Sequence, residues 1–377
     1  MNINKTRLIE EFIELVSTDS GTGEEREIAD KLTAKLKALG CSVYEDDAWK
    51  TLKERSIESN TGNLVAKLDG TQKDVPTLLF CAHMDRVTPG KGIKPIIEND
   101  IIKSDGTTIL AADDVAGIVA ILEGVRTIQE NGIEHGDIEI VFTIAEEGGL
   151  NGAKGLDPSR LAATHGYCLD ANGTVGTIVT SAPAQKGLKV NIYGKAAHAG
   201  ISPESGISAI LVAANALTRM QLGRIDEETT ANIGIFQAGV ATNIITEQAY
   251  LEGEIRSRNP EKLKKHTQHI KDVLTEVANE FGAKVEIEIN DLYPSFNLTE
   301  NDAVVQLALR AAAKIDLQPI LGKTGGGSDA NIINGKGIPS VVLGLGFEDV
   351  HSTKERIAIS ELENAARLVA SLIKENK

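Results

Sequence analysis

Residues 77–85 read TLLFCAHMD: five apolar positions in a row, Leu78 to Ala82, and then His83 and Asp85. A run without polar alternation is the signature of a strand buried on both faces. IEIVFTIA at 138–145 reads the same way, and between the two DDVAGIVAILEGVRTIQENG at 113–132 is amphipathic at helical spacing. Further back, NLVAKL at 63–68 is another strand candidate. Thr22 and Glu25 are spaced as a capping box for the helix EEREIADKLTAKLKALG, which Gly40 closes. Strands interleaved with helices of this length predict an α/β domain with a mixed, mostly parallel sheet flanked by helices.

The texture changes near residue 183. LKVNIYG, AYLEGEIRS and AKVEIEIND alternate apolar and polar residues, as strands with one wet face do, and the helices ISAILVAANALTRM and PEKLKKHTQHIKDVLTEVANEFG fit between them. The order β-α-β-β-α-β predicts a small ferredoxin-like α+β domain. After Leu292-Tyr293-Pro294 the buried pattern returns, ending in the strand PSVVLGLG and a last helix. The expected layout is one domain of 1–182 plus 295–377 with a second, 183–294, inserted into it. A chain of 377 residues is long enough for two cores.

With 54 acidic against 39 basic residues the net charge is −15, which excludes a phosphate-backbone binder, so no nucleic acid partner is expected. No segment reads as a signal peptide or membrane span, so no membrane association is expected either. Cys41, Cys81 and Cys168 are too few and too scattered for a disulfide framework and suit a reducing cytoplasm.

The residues able to do chemistry fall at or just past the carboxyl ends of the buried strands, where open α/β sheets place their ligands. They are His83 and Asp85, Asp113 and Asp114, Glu146 and Glu147, Asp170 in GYCLD, and His351 in GFEDVHS. Imidazoles and carboxylates converging from separate strand ends suit divalent metal, and a bridging carboxylate can hold two ions. Each also has a plainer reading: His83 with Asp85 as a structural pair, Asp113-Asp114 as helix caps, the two glutamates as solvated acids.

Taken in order, CAHMDRVTPG, LAADDVAG, IAEEGGLNGAKGL, YCLDANG and GKAAHAGISPESGISAI resemble the five motifs of one family. It comprises the zinc metallopeptidases that include peptidase T, glutamate carboxypeptidase, aminoacylases and succinyl-diaminopimelate desuccinylase. The match spans almost the whole chain and lies nearest the peptidase T branch. The resemblance implies a di-zinc exopeptidase on short peptides, most simply a tripeptide aminopeptidase, with Co2+ or Mn2+ as other metals the site can take. It implies one ion on His83, Asp113 and Asp170 and the other on Asp113, Glu147 and His351. Glu146 would be the general base acting on a metal-bridging water, Asp85 would orient His83, and a cis peptide would join Asp113 to Asp114. From the inserted domain, a lid in this family, His198 would stabilise the oxyanion while Asn243 and Arg256 hold substrate. A homodimer through the lid is also implied.

The same fold serves N-acyl amino acid amidohydrolases and carboxypeptidases, and a non-catalytic binding protein is the remote alternative. The latter is expected to have lost a ligand, and none of the five is missing. The chain departs from the family at Arg86, commonly Thr, which places a positive charge beside the expected site, and at Val115, commonly Lys. TGGGSDAN at 324–331 resembles the segment that approaches the substrate backbone; GKT at 322–324 lacks the glycine a Walker motif needs. His266 and His269 match no motif and read as the solvent face of a Lys-rich helix.

Overall fold

The computed structural model describes residues 2–54 and 57–377. The chain forms two compact units, one of Met1–Ser181, Leu298–Lys323 and Ser328–Lys377, the other of Ala182–Asn297 with Thr324–Gly327. The second unit thus takes in a short glycine-rich segment that the sequence pattern assigned to the first.

In the first unit the strands Ser42–Glu45, Leu64–Leu68, Ile138–Thr143, Leu78–His83, His165–Ala171, Ser340–Gly344 and Thr177–Ala182 lie side by side in that order. The four from Ile138–Thr143 to Ser340–Gly344 are mutually parallel, with antiparallel neighbours outside them. The fold is α/β with a mixed, mostly parallel sheet. Every residue of Leu78–His83 and Ile138–Thr143 is buried, as their unbroken apolar runs require. The core takes in Phe12, Phe80, Phe142 and Tyr167, all fully buried; burial of a large apolar side chain contributes roughly 1.5–3 kcal/mol.

Register aligns the carboxyl ends. His83 pairs with Thr143 and Cys81 with Cys168, which sets Asp170 level with His83. Ser340–Gly344 ends beside Ala171. The helix Ala112–Glu130 packs on these strands, buried along nearly all its length. A Cβ on Gly117 would stand 2.4 Å from Asp114 Oδ1 and 2.6 Å from the Leu169 carbonyl, so only glycine lets the helix start this close to the strand.

The capping box expected at Thr22 and Glu25 is not formed. The helix runs Arg26–Ala38 without a side-chain cap, because the Glu25 carboxylate accepts the N–H of Gly23 and Ala145 and the Thr22 hydroxyl donates to Asp85. A small sheet was not legible: Phe347–Glu348, Arg356–Ala358, Ile101–Ser104 and Pro95–Glu98 pair in that order. Its strands of two to four residues are too short to show a period.

The second unit is an antiparallel sheet ordered Gly223–Arg224, Thr229–Ala238, Gln248–Ser257, Ala184–Tyr193, Lys284–Tyr293. The helices Ala209–Arg219 and Pro260–Phe281 pack against it around Leu188, Val190, Leu251, Ile255, Leu274 and Val277. Strand–helix–strand–strand–helix–strand is the predicted ferredoxin-like order, completed by Thr229–Ala238. His266 is not on the solvent face: it is buried, its Nε2 3.0 Å from the Gln221 carbonyl.

Candidate metal centre

His83 ends its strand with its ring 2% exposed. Its Nδ1 lies 2.9 Å from the Asp85 main-chain carbonyl. A carbonyl only accepts, so Nδ1 carries a proton, and Nε2 is the ring nitrogen that faces Asp113. The carboxylate expected to orient this ring does something else. Asp85 Oδ1 is 3.6 Å from Nδ1, outside hydrogen-bond range. It accepts the main-chain N–H of Glu146 at 2.8 Å, and Oδ2 takes the Thr22 hydroxyl at 2.7 Å. Asp85 therefore steers His83 through its backbone and fixes Glu146 through its side chain.

Asp113 and Asp114 divide their work. Asp114 is buried and accepts from the N–H of His83 and of Gly117, tying strand to helix in the manner of a cap. Asp113 faces the imidazoles: Oδ1 lies 3.0 Å from His83 Nε2, and Oδ2 lies 3.4 Å from His351 Nε2. The peptide between them is cis, as the family resemblance implies. His351 Nε2 is also 2.9 Å from Glu147 Oε1. Glu146 and Glu147 follow Ala145, whose φ of 48° turns the chain sharply after Thr143. One ligand atom each from His83, Asp113 and Glu147 falls within 4.8 Å of the others.

Asp170 and Glu146 add no atom to that cluster but share its electrostatics. Burial, reinforced by the charge of Asp170, raises Glu146 well above the usual carboxylate range. Burial and then Asp113 raise Asp170. Burial would raise Asp113 as well, yet hydrogen bonds from His351 and His83 outweigh it and hold it low. Its bonds to Asp113 and Glu147 push His351 up to about 10. A divalent cation fits this donor set: imidazole nitrogens and carboxylate oxygens crowd together, with the imidazoles of His83 and His351 set against several carboxylates.

Two further carboxylates went unnoticed in the sequence. Asp329 is buried, accepts the Thr143 hydroxyl at 2.5 Å and is pushed up to about 6 by burial. Glu355 is buried and binds main-chain N–H groups next to Asp113. Asp329 stands in TGGGSDAN, a stretch read for its glycines alone, and the KER context of Glu355 looks like ordinary surface sequence. Arg86 proves not to face the site. Its guanidinium is buried and donates to Ser20 Oγ and to the Val16 and Leu15 carbonyls, closing the first helix, Lys5–Val16.

In the second unit the expected substrate residues fall in two places. His198 and Asn243 lie together on exposed loops, the Ala199 N–H donating to the Asn243 carbonyl at 2.9 Å. Arg256, on Gln248–Ser257, forks onto the two oxygens of Glu254 at 2.9 and 2.8 Å.

Residues 79–375 match the family described as peptidase family M20/M25/M40. The chain belongs to this family. As an M20 peptidase it is a hydrolase, and its full length aligns with named relatives. It is 47% identical over 373 residues to the uncharacterized protein YqjE of Bacillus subtilis (strain 168), covering 99% of each chain. The crystal structure of aminopeptidase PepT from Bacillus cereus ATCC 10987 matches with a TM-score of 0.93 and 47% identity, over 99% of both chains. That of a tripeptidase from Staphylococcus aureus subsp. aureus mu50 matches with a TM-score of 0.94 and 45% identity, again over 99% of both. Among the described residues no helix of this M20 peptidase is long and apolar enough to cross a membrane.

Proposed function

We propose that this chain is a metal-dependent aminopeptidase that cleaves short peptides with a free amino terminus, tripeptides foremost. The observation that carries the reading is Asp113: one partly buried carboxylate turns one oxygen to each of two imidazoles, the disposition of a ligand shared by two ions. His83, Asp113 and Asp170 would hold one divalent ion and Asp113, Glu147 and His351 the other, with zinc first in line and cobalt or manganese able to replace it. Bound there, the pair supplies Lewis acidity toward the scissile carbonyl and the attacking water.

Glu146 takes the proton of that water and returns it to the leaving amine, a transfer that wants a buried carboxylate of raised pKa. Asp85 serves it by holding the Glu146 main chain. His198 stabilises the oxyanion, Asn243 binds substrate polar groups beside it, and Arg256 receives a substrate carboxylate through donors left over from Glu254. The peptidase and aminopeptidase relatives support the substrate class.

We place the enzyme in the cytoplasm and read it as a homodimer through the second unit. Gly223–Arg224 pairs only with Ala231 and Thr230, which leaves the rest of Thr229–Ala238 as an open edge. Ile235 and Phe236 are exposed on it at 41% and 44%, and Val240 just past its end at 94%; such an apolar edge calls for a covering partner. A tripeptide assayed beside its N-acetyl form tests the activity. The free peptide should be the better substrate, and preference for the blocked one would instead make the chain an N-acyl amino acid amidohydrolase.

A further inference from the structure

Glu355 has no part in the chemistry above, yet few side chains in this unit are so completely engaged. It is 1% exposed. Its Oε2 accepts the N–H of Leu110 at 2.8 Å and of Ala111 at 2.9 Å, and Oε1 accepts the N–H of Asp113 at 3.1 Å. Three main-chain donors within four consecutive residues thus meet one carboxylate more than 240 positions along the chain.

The stretch needs holding. Ala111 has φ 60°, the left-handed region that residues with a side chain avoid. Asp113 and Asp114, which follow at the start of Ala112–Glu130, are themselves non-helical, and the regular turns beyond them are capped by Asp114. Buried main-chain N–H groups outside a regular helical or strand ladder need a partner from elsewhere. Glu355 is that partner for Leu110, Ala111 and Asp113. It stands in the hairpin between Phe347–Glu348 and Arg356–Ala358, the same loop that carries His351. One short hairpin supplies both an imidazole to the Asp113 carboxylate and a clamp on the Asp113 main chain.

We propose that Glu355 is a positioning residue for the metal centre, fixing the Leu110–Asp113 backbone so that the two Asp113 oxygens address two ions at once. The proposal rests on the reading of Asp113 as a shared ligand. A glutamine of the same shape offers one oxygen but sets its NH2 against N–H donors, so half of the clamp is lost.

The test is zinc affinity of metal-depleted protein, measured by competition with a chromophoric chelator, beside the melting temperature of the metal-free form. Wild type should take up two ions, and Glu355→Gln should bind them about 10- to 100-fold more weakly, as loss of a residue that orients a ligand does. A purely structural role would lower the melting temperature of the metal-free protein and leave zinc affinity alone. That result overturns the proposal. If Glu355→Gln does not fold, Glu355→Asp, which keeps the charge and retracts it by one methylene, is judged by the same criterion. A wild type that binds no zinc overturns the reading of the site itself, and two ions held equally tightly by wild type and variant overturn only the role of Glu355.

Discussion

Glu11 and Glu146 are buried glutamates of the same unit, 6% and 9% exposed. Burial pushes both upward, and there the likeness ends. Arg126 forks onto Glu11 with two bonds of 2.7 Å, and Lys35 adds a third cation contact, so Glu11 stays below its ordinary range. The neighbouring Glu123 is held by Arg7 in the same way. Glu146 meets Asp170, Asp329 and Glu147 instead, with His83 as the opposing charge, and rises. The first cluster is neutralised by the chain's own cations and ties the first helix to the central one. The second collects carboxylates into a cluster that could hold a metal ion. Buried charge is paired with cations in one place and gathers like charges in the other.

Substitutions should separate the two. Glu146→Gln removes the proton acceptor and should lower kcat on a tripeptide by about 10²–10⁴-fold with zinc uptake intact; substantial retained activity would break the assignment. Arg126→Met strips the other cluster of its central cation. Urea unfolding should show a loss of about 3 kcal/mol, at the low end for a broken buried pair because Lys35 and Arg7 remain, and activity per folded molecule should not change. Arg86→Gln should cost about 1.5–3 kcal/mol through its charged hydrogen bonds, with KM for the tripeptide unaltered. A shift in KM would restore Arg86 as a substrate determinant. The smallest effect is the most diagnostic. Asp170→Asn relieves repulsion, so the metal-free protein should melt slightly higher while binding zinc less tightly, whereas Glu11→Gln should only destabilise.

Much of this was legible in sequence because the signals are local. Apolar runs such as Leu78–Ala82 mark buried strands, and His83, Glu146, Glu147 and Asp170 fall at or just past their ends, whereas Asp113 opens a helix that no strand directly precedes and His351 stands in a hairpin loop. What sequence hid were partnerships across long separations. Glu25 looks like a capping residue until Ala145, far along the chain, claims its carboxylate. Arg86 sits next to Asp85 in sequence, yet the alternation of side chains past the strand end turns it toward the first helix. Asp85 acts on His83 through a carbonyl, which no residue type advertises. Glu355 can be recognised only once a hairpin of very short strands brings it to Asp113.

The most direct test of the account is hydrolysis of an unblocked tripeptide by metal-depleted protein as zinc is returned in counted equivalents. Activity should be absent without metal and should level off at two ions per chain. Full activity in metal-free protein, or a plateau with no zinc bound, would contradict the account at its centre.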